Sequence, residues 1–174
     1  VLPWRRAYAT ALNEQDVLIY PVTRLPDREA SFTWLVPLAQ SPCYFYALAK
    51  RDDLGGVRSL ADLERYTIAA VQGDATIPLL QEYGFDTSRI VSFRDGSGPL
   101  NVVQVLKGRA DFFFEVPETI RVLEAELGLA AGTFRPVIAL PRPLSFYLAA
   151  RRDVSPILES RLREAVSGLG LPTY

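Results

Sequence analysis

Three residues combine a chemically active side chain or backbone with a position that a ligand can reach. Gly73 and Asp74 lie between the apolar run 67–71 and a helical pattern, and Glu115 follows three consecutive phenylalanines. Gly73 allows close backbone approach, and a helix start favours an anion. Asp74 as a helix cap would bring its own negative charge there, and Glu115 would add a second. If both carboxylates face one cleft, a cationic or hydroxyl-rich solute fits better than an anion.

Each of these candidates also has a purely structural interpretation. Gly73 is compatible with a plain turn, Asp74 with a cap alone, and Glu115 with a solvated strand end. Asp95, in the turn 94–99, is a weaker third acidic candidate. Aromatic side chains could stack on a flat or cationic solute, and the candidates of this kind are Trp4, Tyr20, Tyr44 and Phe45.

Composition excludes much of enzymology. The 174 residues include no His and a single cysteine, Cys43, so that a Ser-His-Asp triad, a Cys-His pair and His-ligated zinc are excluded. The formal charge of −1 argues against a nucleic-acid partner. An enzyme would have to use carboxylate pairs, either Glu115 with Glu118 or Asp74 with Asp111. We expect no cofactor, no metal and no catalysis.

Strands and helices alternate in the second half of the chain. Apolar runs predict strands at 67–71, 90–93, 111–115 and 134–140, and helical patterns at 75–83, 99–107 and 117–127 separate them. This alternation predicts an α/β fold with mainly parallel sheets. The remaining segments predict a helix at 3–13, a strand buried on both faces at 17–22, a surface loop at 23–31, extended segments at 32–36, 44–49 and 144–150, and a helix from Pro156 with a buried stripe.

Four short strings follow one another between residues 2 and 111. They are Leu2-Pro3-Trp4-Arg5-Arg6, Thr23-Arg24-Leu25-Pro26-Asp27-Arg28-Glu29 followed by Phe32, Trp34 and Pro37, Ser59-Leu60-Ala61-Asp62-Leu63, and Leu106-Lys107-Gly108-Arg109-Ala110-Asp111. In these strings and their order the chain resembles the extracellular solute-binding proteins of ABC transporters, of the type that binds polar amino acids. The resemblance implies a two-lobed periplasmic-binding-protein fold, with residues 1–50 and 141–174 in lobe I, residues 51–140 in lobe II and two crossing hinge strands.

The resemblance also implies a function. The protein would capture a small polar solute between its lobes, close by a hinge and present the solute to a membrane permease, in the periplasm or another extracytoplasmic space. A ligand-sensing domain of the same fold in a signalling protein is the alternative. A secretory signal before Val1 would favour transport, and a membrane span or kinase region there would favour sensing.

Two departures from the family qualify these expectations. The strand, helix and strand that normally precede the Leu-Pro-Trp segment have no counterpart, so we expect lobe I to be incomplete and a homodimer to be an option. The family's carboxylate-binding Arg and ammonium-binding Asp correspond here to Phe45 and Val116. The solute is therefore not assigned as a standard α-amino acid. The ligand-binding candidates are Thr23, Arg28, Tyr44, Phe45, Gly73, Asp74, Asp95 and Glu115.

Overall fold

The chain divides into two compact units, Val1–Ser41 with Leu144–Tyr174, and Pro42–Pro143. The computed structural model describes residues 2–93 and 100–169. Five helices and eight strands follow one another as α1 (Trp4–Asn13), β1 (Leu18–Thr23), β2 (Phe32–Ser41), β3 (Tyr44–Leu48), β4 (Ile68–Val71), α2 (Thr76–Glu82), β5 (Ile90–Phe93), α3 (Leu100–Leu106), β6 (Phe112–Glu115), α4 (Pro117–Glu126), β7 (Phe134–Ala139), β8 (Leu144–Arg151) and α5 (Pro156–Val166).

The first unit is a three-stranded sheet with one helix on each face. β8 lies in the middle and pairs antiparallel with β1 and with β2. Side chains alternate along β8: Tyr147 and Ala149 pack with Ala11 of α1, whereas Ala150 packs on the side of α5 with Leu35. The period-2 pattern of the central strand therefore gives the sheet two apolar faces, and each amphipathic helix covers one of them.

The second unit contains a five-stranded sheet in the order β5-β4-β6-β3-β7. β4 pairs parallel with β5 and β6, whereas β3 pairs antiparallel with β6 and β7. The α/β class is confirmed, but the prediction of mainly parallel sheets is wrong. The helical crossovers do make β4, β5, β6 and β7 run in one direction. β3 enters between β6 and β7 in the opposite direction and turns two of the four pairings antiparallel.

The structure corrects several local predictions, in burial and in secondary structure. The strand predicted at 17–22 is not buried on both faces, because Tyr20 is 71% exposed. The predicted loop 23–31 contains a short 3-10 helix, Pro26–Arg28. β2 continues through Pro37 to Ser41 as one strand. The predicted stripe of α5 is only partly covered, since no residue of that helix is fully buried and Leu169 beyond it is 65% exposed.

The other predicted helices and strands coincide with observed ones to within a few residues, as far as the chain is described. Gly84, Gly108 and Gly128 follow α2, α3 and α4 with positive φ, the conformation that ends a helix most readily at glycine. Within 2–93 and 100–169, no helix is long and apolar enough to span a membrane.

An ion pair between Arg51 and Asp111 connects the start of β6 to the segment that precedes β4. Asp111 accepts a hydrogen bond from Arg51 Nη1 at 2.8 Å and one from the Thr67 backbone N–H at 2.9 Å. Arg51 also binds Asp53, whose side chain is 59% exposed against 25% for Asp111. The same guanidinium therefore holds one partly buried carboxylate and one largely solvated carboxylate.

Asp111→Ala should lower the free energy of unfolding by about 1–3 kcal/mol, because it strips a partner from a backbone N–H and a guanidinium that are only partly accessible to water. Asp53→Ala is the matched control and should cost distinctly less, since water replaces an exposed carboxylate easily. Urea unfolding of both variants measures the difference. Equal losses of unfolding free energy would show that the partly buried hydrogen bonds of Asp111 contribute no more than the exposed ion pair of Asp53.

Candidate functional site

The carboxyl end of β6 brings three of the candidate residues into one neighbourhood within the second unit. Glu115 is the last residue of β6 and pairs directly with Tyr44 of β3. Asp74 follows β4, the parallel neighbour of β6 on its other side, and its charge acts on Glu115. Parallel strands end at the same edge of a sheet, where open α/β sheets bind their ligands. Tyr44, Asp74 and Glu115 are therefore neighbours at this edge, and together they form the candidate site.

Glu115 is held from its own loop and from α4. Its Oε1 accepts the Val116 backbone N–H at 2.9 Å, and its carboxylate also receives a hydrogen bond from the Thr119 side chain. Burial raises the pKa of Glu115 to about 7, the two hydrogen bonds oppose this rise, and the negative charge of Asp74 adds to it. Among the described residues, no Lys or Arg forms an ion pair with Glu115.

Asp74 organises the turn that leads into α2. Its Oδ1 accepts the Thr76 backbone N–H at 2.8 Å and its Oδ2 accepts the Val71 N–H at 3.0 Å. Gly73 adopts φ +80, a conformation that favours glycine. The carboxylate of Asp74 therefore already binds a backbone N–H at the start of α2. Its negative charge makes this edge of the sheet unfavourable for an anion.

Side chains alternate between the two faces of β3, and this places its two aromatic candidates on opposite faces. Tyr44 and Tyr46 lie on the same face, with ring centroids 6.0 Å apart, whereas Phe45 lies on the opposite face. Phe45 is 1% exposed and packs on Phe114 at 5.3 Å between ring centroids. Tyr44 is thus beside Glu115, and Phe45 is part of the core behind the sheet.

Tyr46 and Thr119 join the site although the sequence did not single them out. Burial raises the pKa of Tyr46 to about 12, and the charges of Tyr44, Glu115 and Glu118 add to the rise. Two sequence signals could have found both residues. Tyr46 is two positions from Tyr44 in a strand, and Thr119 is four positions from Glu115, within the first turn of a helix.

Thr23 and Arg28 lie in the first unit and are bound to each other. Arg28 is 3% exposed, donates from Nη1 to the Thr23 carbonyl oxygen at 3.3 Å, and lies over the rings of Tyr8 and Trp4 at 5.2 and 5.6 Å. Thr23 is itself 7% exposed. This geometry is that of a buried cation that ties α1 to the end of β1.

Arg24 is the cation of this segment that reaches the surface. Its guanidinium lies 5.5 and 5.4 Å from the ring centroids of Trp34 and Tyr147, and it donates two hydrogen bonds to Glu29, at 2.6 and 3.1 Å. The two aromatic rings and the bidentate Glu29 carboxylate together fix the plane of the Arg24 guanidinium. The sequence did not distinguish Arg24 from Arg28 by burial.

The remaining candidates are Asp95, Cys43 and Asp111. Asp95 lies outside the described residues. The Cys43 thiol is buried. Asp111 lies at the opposite end of β6 from Glu115, where Arg51 and Thr67 bind it, so the carboxylate pair of Asp74 with Asp111 is not formed. In the ranges 2–93 and 100–169, no cluster of three or more His, Cys, Asp or Glu side chains could hold a metal ion.

The arrangement of strands and helices is that of the periplasmic binding proteins. No protein-family model matches the sequence. No curated protein matches it either. Solved structures match it closely despite low identity, and this likeness establishes the fold.

Three matches illustrate the range. A mutant of ArgBP from T. maritima has a TM-score of 0.77 at 15% identity, over 97% of this chain and 69% of that one. AbpA from Streptococcus pneumoniae, an amino acid ABC transporter substrate-binding protein bound to L-arginine, has a TM-score of 0.77 at 15% identity, over 97% and 68%. The Bordetella pertussis BvgS periplasmic VFT2 domain has 0.74 at 20%, over 98% and 69%. The predicted resemblance to polar amino-acid-binding proteins of ABC transporters is confirmed as a structural match, and this chain is shorter than those proteins.

Glu115 should make stability fall as pH rises. A carboxyl whose pKa is about 7 in the folded chain, against an ordinary value of 4.5, binds its proton more tightly when folded. The folded state therefore loses about 3 kcal/mol between about pH 4.5 and about pH 7 through this group. Glu115→Gln should match the parent protein at about pH 4, below the ordinary pKa of the carboxyl, and exceed its stability at about pH 8. Chemical denaturation at both pH values measures this difference.

Glu126→Gln, at an exposed position on α4, is the control and should leave the pH dependence of the parent protein unchanged. If Glu115→Gln and the parent protein show parallel stability curves, Glu115 is ionised in the folded chain at low pH and the assigned cause is wrong.

Proposed function

We propose that this protein is an extracytoplasmic solute-binding component of an ABC importer and that it captures a small polar solute carrying a positive charge. The fold supports the first part, because ArgBP and AbpA share it over nearly the whole of this chain. The second part rests on one observation. Glu115 is a partly buried carboxylate beside Asp74 with no ion-paired cation among the described residues.

A cationic group on the solute would supply the counter-ion that Glu115 lacks among the described residues. An ammonium or guanidinium within hydrogen-bond distance of Glu115 would favour its ionised form and replace the water lost on burial. Asp74 adds negative potential from the neighbouring strand end, and Tyr44 offers an aromatic face beside it. An anionic solute would meet two carboxylates at the same place, so we expect simple organic acids not to bind.

Binding, and not catalysis, accounts for these groups. The chain has no His, the Cys43 thiol is buried, and Asp111 is engaged by Arg51 away from Glu115. Hydrogen bonds, one aromatic face and a charge are sufficient to orient a solute. A membrane permease is the partner that this role implies.

A sensing role is the second candidate. The BvgS periplasmic VFT2 domain matches at 20% identity, compared with 15% for ArgBP and AbpA. The coding sequence upstream of Val1 distinguishes the two roles. A secretory signal there supports transport, and a membrane span or kinase region in the same polypeptide supports sensing.

Agmatine and putrescine, which carry positive charges and no carboxylate, should raise the melting temperature of the protein. 1,4-Butanediol should not, because it keeps the length of putrescine and replaces the two ammonium groups with neutral hydroxyls. A ligand at about 100 times its Kd stabilises by about 2.7 kcal/mol, which thermal-shift measurement detects readily. Glu115→Gln should weaken binding of the responding cation by roughly tenfold to a hundredfold, as expected for a charge-assisted hydrogen bond.

Glu126→Gln is again the control and should leave the affinity unchanged. L-Glutamate and citrate complete the panel. Stabilisation by these anions alone, or equal responses to putrescine and 1,4-butanediol, would contradict the assignment of a cationic solute.

A further inference from the structure

The hydrogen bonds of Glu115 use only part of the capacity of its carboxylate to accept. Its Oε1 accepts the Val116 backbone N–H at 2.9 Å, and the Thr119 side chain donates a second hydrogen bond to the carboxylate. The two oxygens of a carboxylate together offer about four lone-pair sites. Beside the hydrogen bonds from the described residues, a lone pair of Glu115 can therefore take either a proton or a cationic group of the solute.

The titratable groups around Glu115 come from three elements, and none of those described is a cation. β3 contributes Tyr44 and Tyr46, the turn after β4 contributes Asp74, and the first turn of α4 contributes Glu118. The charge of Asp74 acts on Glu115, and the charges of Glu115 and Glu118 act on Tyr46. α3, which covers the same face of the sheet, contains no Asp, Glu, Lys or Arg. The charges that the described residues bring to Glu115 are therefore negative.

Negative surroundings and burial favour the protonated, neutral form of a carboxyl. Burial raises the pKa of Glu115 to about 7, and the charge of Asp74 adds to the rise, although the two hydrogen bonds oppose it. Burial raises the pKa of Tyr46 to about 12, and the neighbouring Cys43 thiol is itself buried. Glu115 therefore changes its charge near pH 7, whereas the hydroxyl of Tyr46 stays neutral there.

We propose that the solute cation and a proton compete for the Glu115 carboxylate, so that binding of the solute in mild acid releases a proton to the solvent, and that the Thr119 hydroxyl sets the pH of this exchange. The inference rests on the proposed function, because it requires a cationic solute at Glu115. An ionised carboxylate binds an ammonium or guanidinium by a charge-assisted hydrogen bond, and a protonated carboxyl has no charge to offer. Thr119 acts through Glu115 and is thus a positioning residue.

The exchange makes solute affinity and fold stability respond to pH in opposite directions. Protonation of Glu115 stabilises the folded chain, because the carboxyl binds its proton more tightly when folded, but it removes the charge that the solute needs. From about pH 8 to about pH 6 the affinity for a cation should fall about tenfold, while the contribution of Glu115 to the free energy of unfolding becomes more favourable. Partial unfolding in acid would lower the affinity and the stability together.

Isothermal titration calorimetry of the parent protein with agmatine and with putrescine tests the exchange. Both probes keep their charges between pH 6 and pH 8, since amines and guanidines of this kind titrate at about pH 10 or above. Titrations in two buffers of different ionisation enthalpy count the protons released. We expect about 0.9 proton per solute at pH 6 and about 0.1 at pH 8, with about tenfold weaker binding at pH 6.

Thr119→Val keeps the shape of the side chain and removes the hydroxyl that favours the ionised form of Glu115. The pH midpoint of binding should rise by roughly one unit, the loss expected for a hydrogen bond to a charged group. At about pH 9 this variant should bind as tightly as the parent protein, which a merely structural role of Thr119 would not allow. Thr119→Ser keeps the hydroxyl and should restore the midpoint. Glu126→Gln, at an exposed position on α4, is the control and should leave the midpoint unchanged.

The outcomes separate this inference from the proposed function. Equally tight binding at pH 6 and pH 8, without release of a proton, would overturn the exchange and leave the cationic solute in place. An unshifted midpoint in Thr119→Val, or a shift that Thr119→Ser shares, would overturn the role of the Thr119 hydroxyl. Absence of binding of both probes at both pH values would overturn the proposed function and the exchange together.

Discussion

The position of β6 between β4 and β3 is the constraint on which the candidate site depends. Its hydrogen bonds to β4 are parallel, so the carboxyl ends of the two strands meet and bring Asp74 towards Glu115. Its hydrogen bonds to β3 are antiparallel and in a register that sets Tyr44 against Glu115. A shift of either pairing by one residue would turn Glu115 to the other face of the sheet.

The same pairing determines what kind of environment Glu115 experiences. Tyr46 and Phe113 stack on the face that Glu115 shares, with ring centroids 5.8 Å apart, and α3 and α4 cover it with Val102, Val105, Ile120 and Leu123. A carboxylate at the margin of such a core loses hydration, which is why its pKa rises despite two hydrogen bonds. The core that stabilises the sheet thus also raises the pKa of the acidic group at its margin.

In the first unit, two arginine side chains lie against aromatic rings. Arg28 is enclosed by Trp4 and Tyr8 and ties α1 to the end of β1, whereas Arg24 lies over Trp34 and Tyr147 at the surface. Both cations use aromatic rings in place of bulk water, and burial alone separates their roles.

The sequence alone was sufficient for the order of helices and strands, for the absence of His-based chemistry and for the resemblance that the structural matches confirm. These features are local or compositional: apolar period, glycine at helix ends and short strings. The direction of β3, the opposite faces of Tyr44 and Phe45, and the burial of Arg28 against the exposure of Arg24 were decided only by tertiary structure. Strand partners are chosen between residues far apart in the chain, and burial is set by everything that packs around a side chain. The raised pKa of Glu115 belongs to this second group, because it arises from a core and a neighbouring strand that no local pattern specifies.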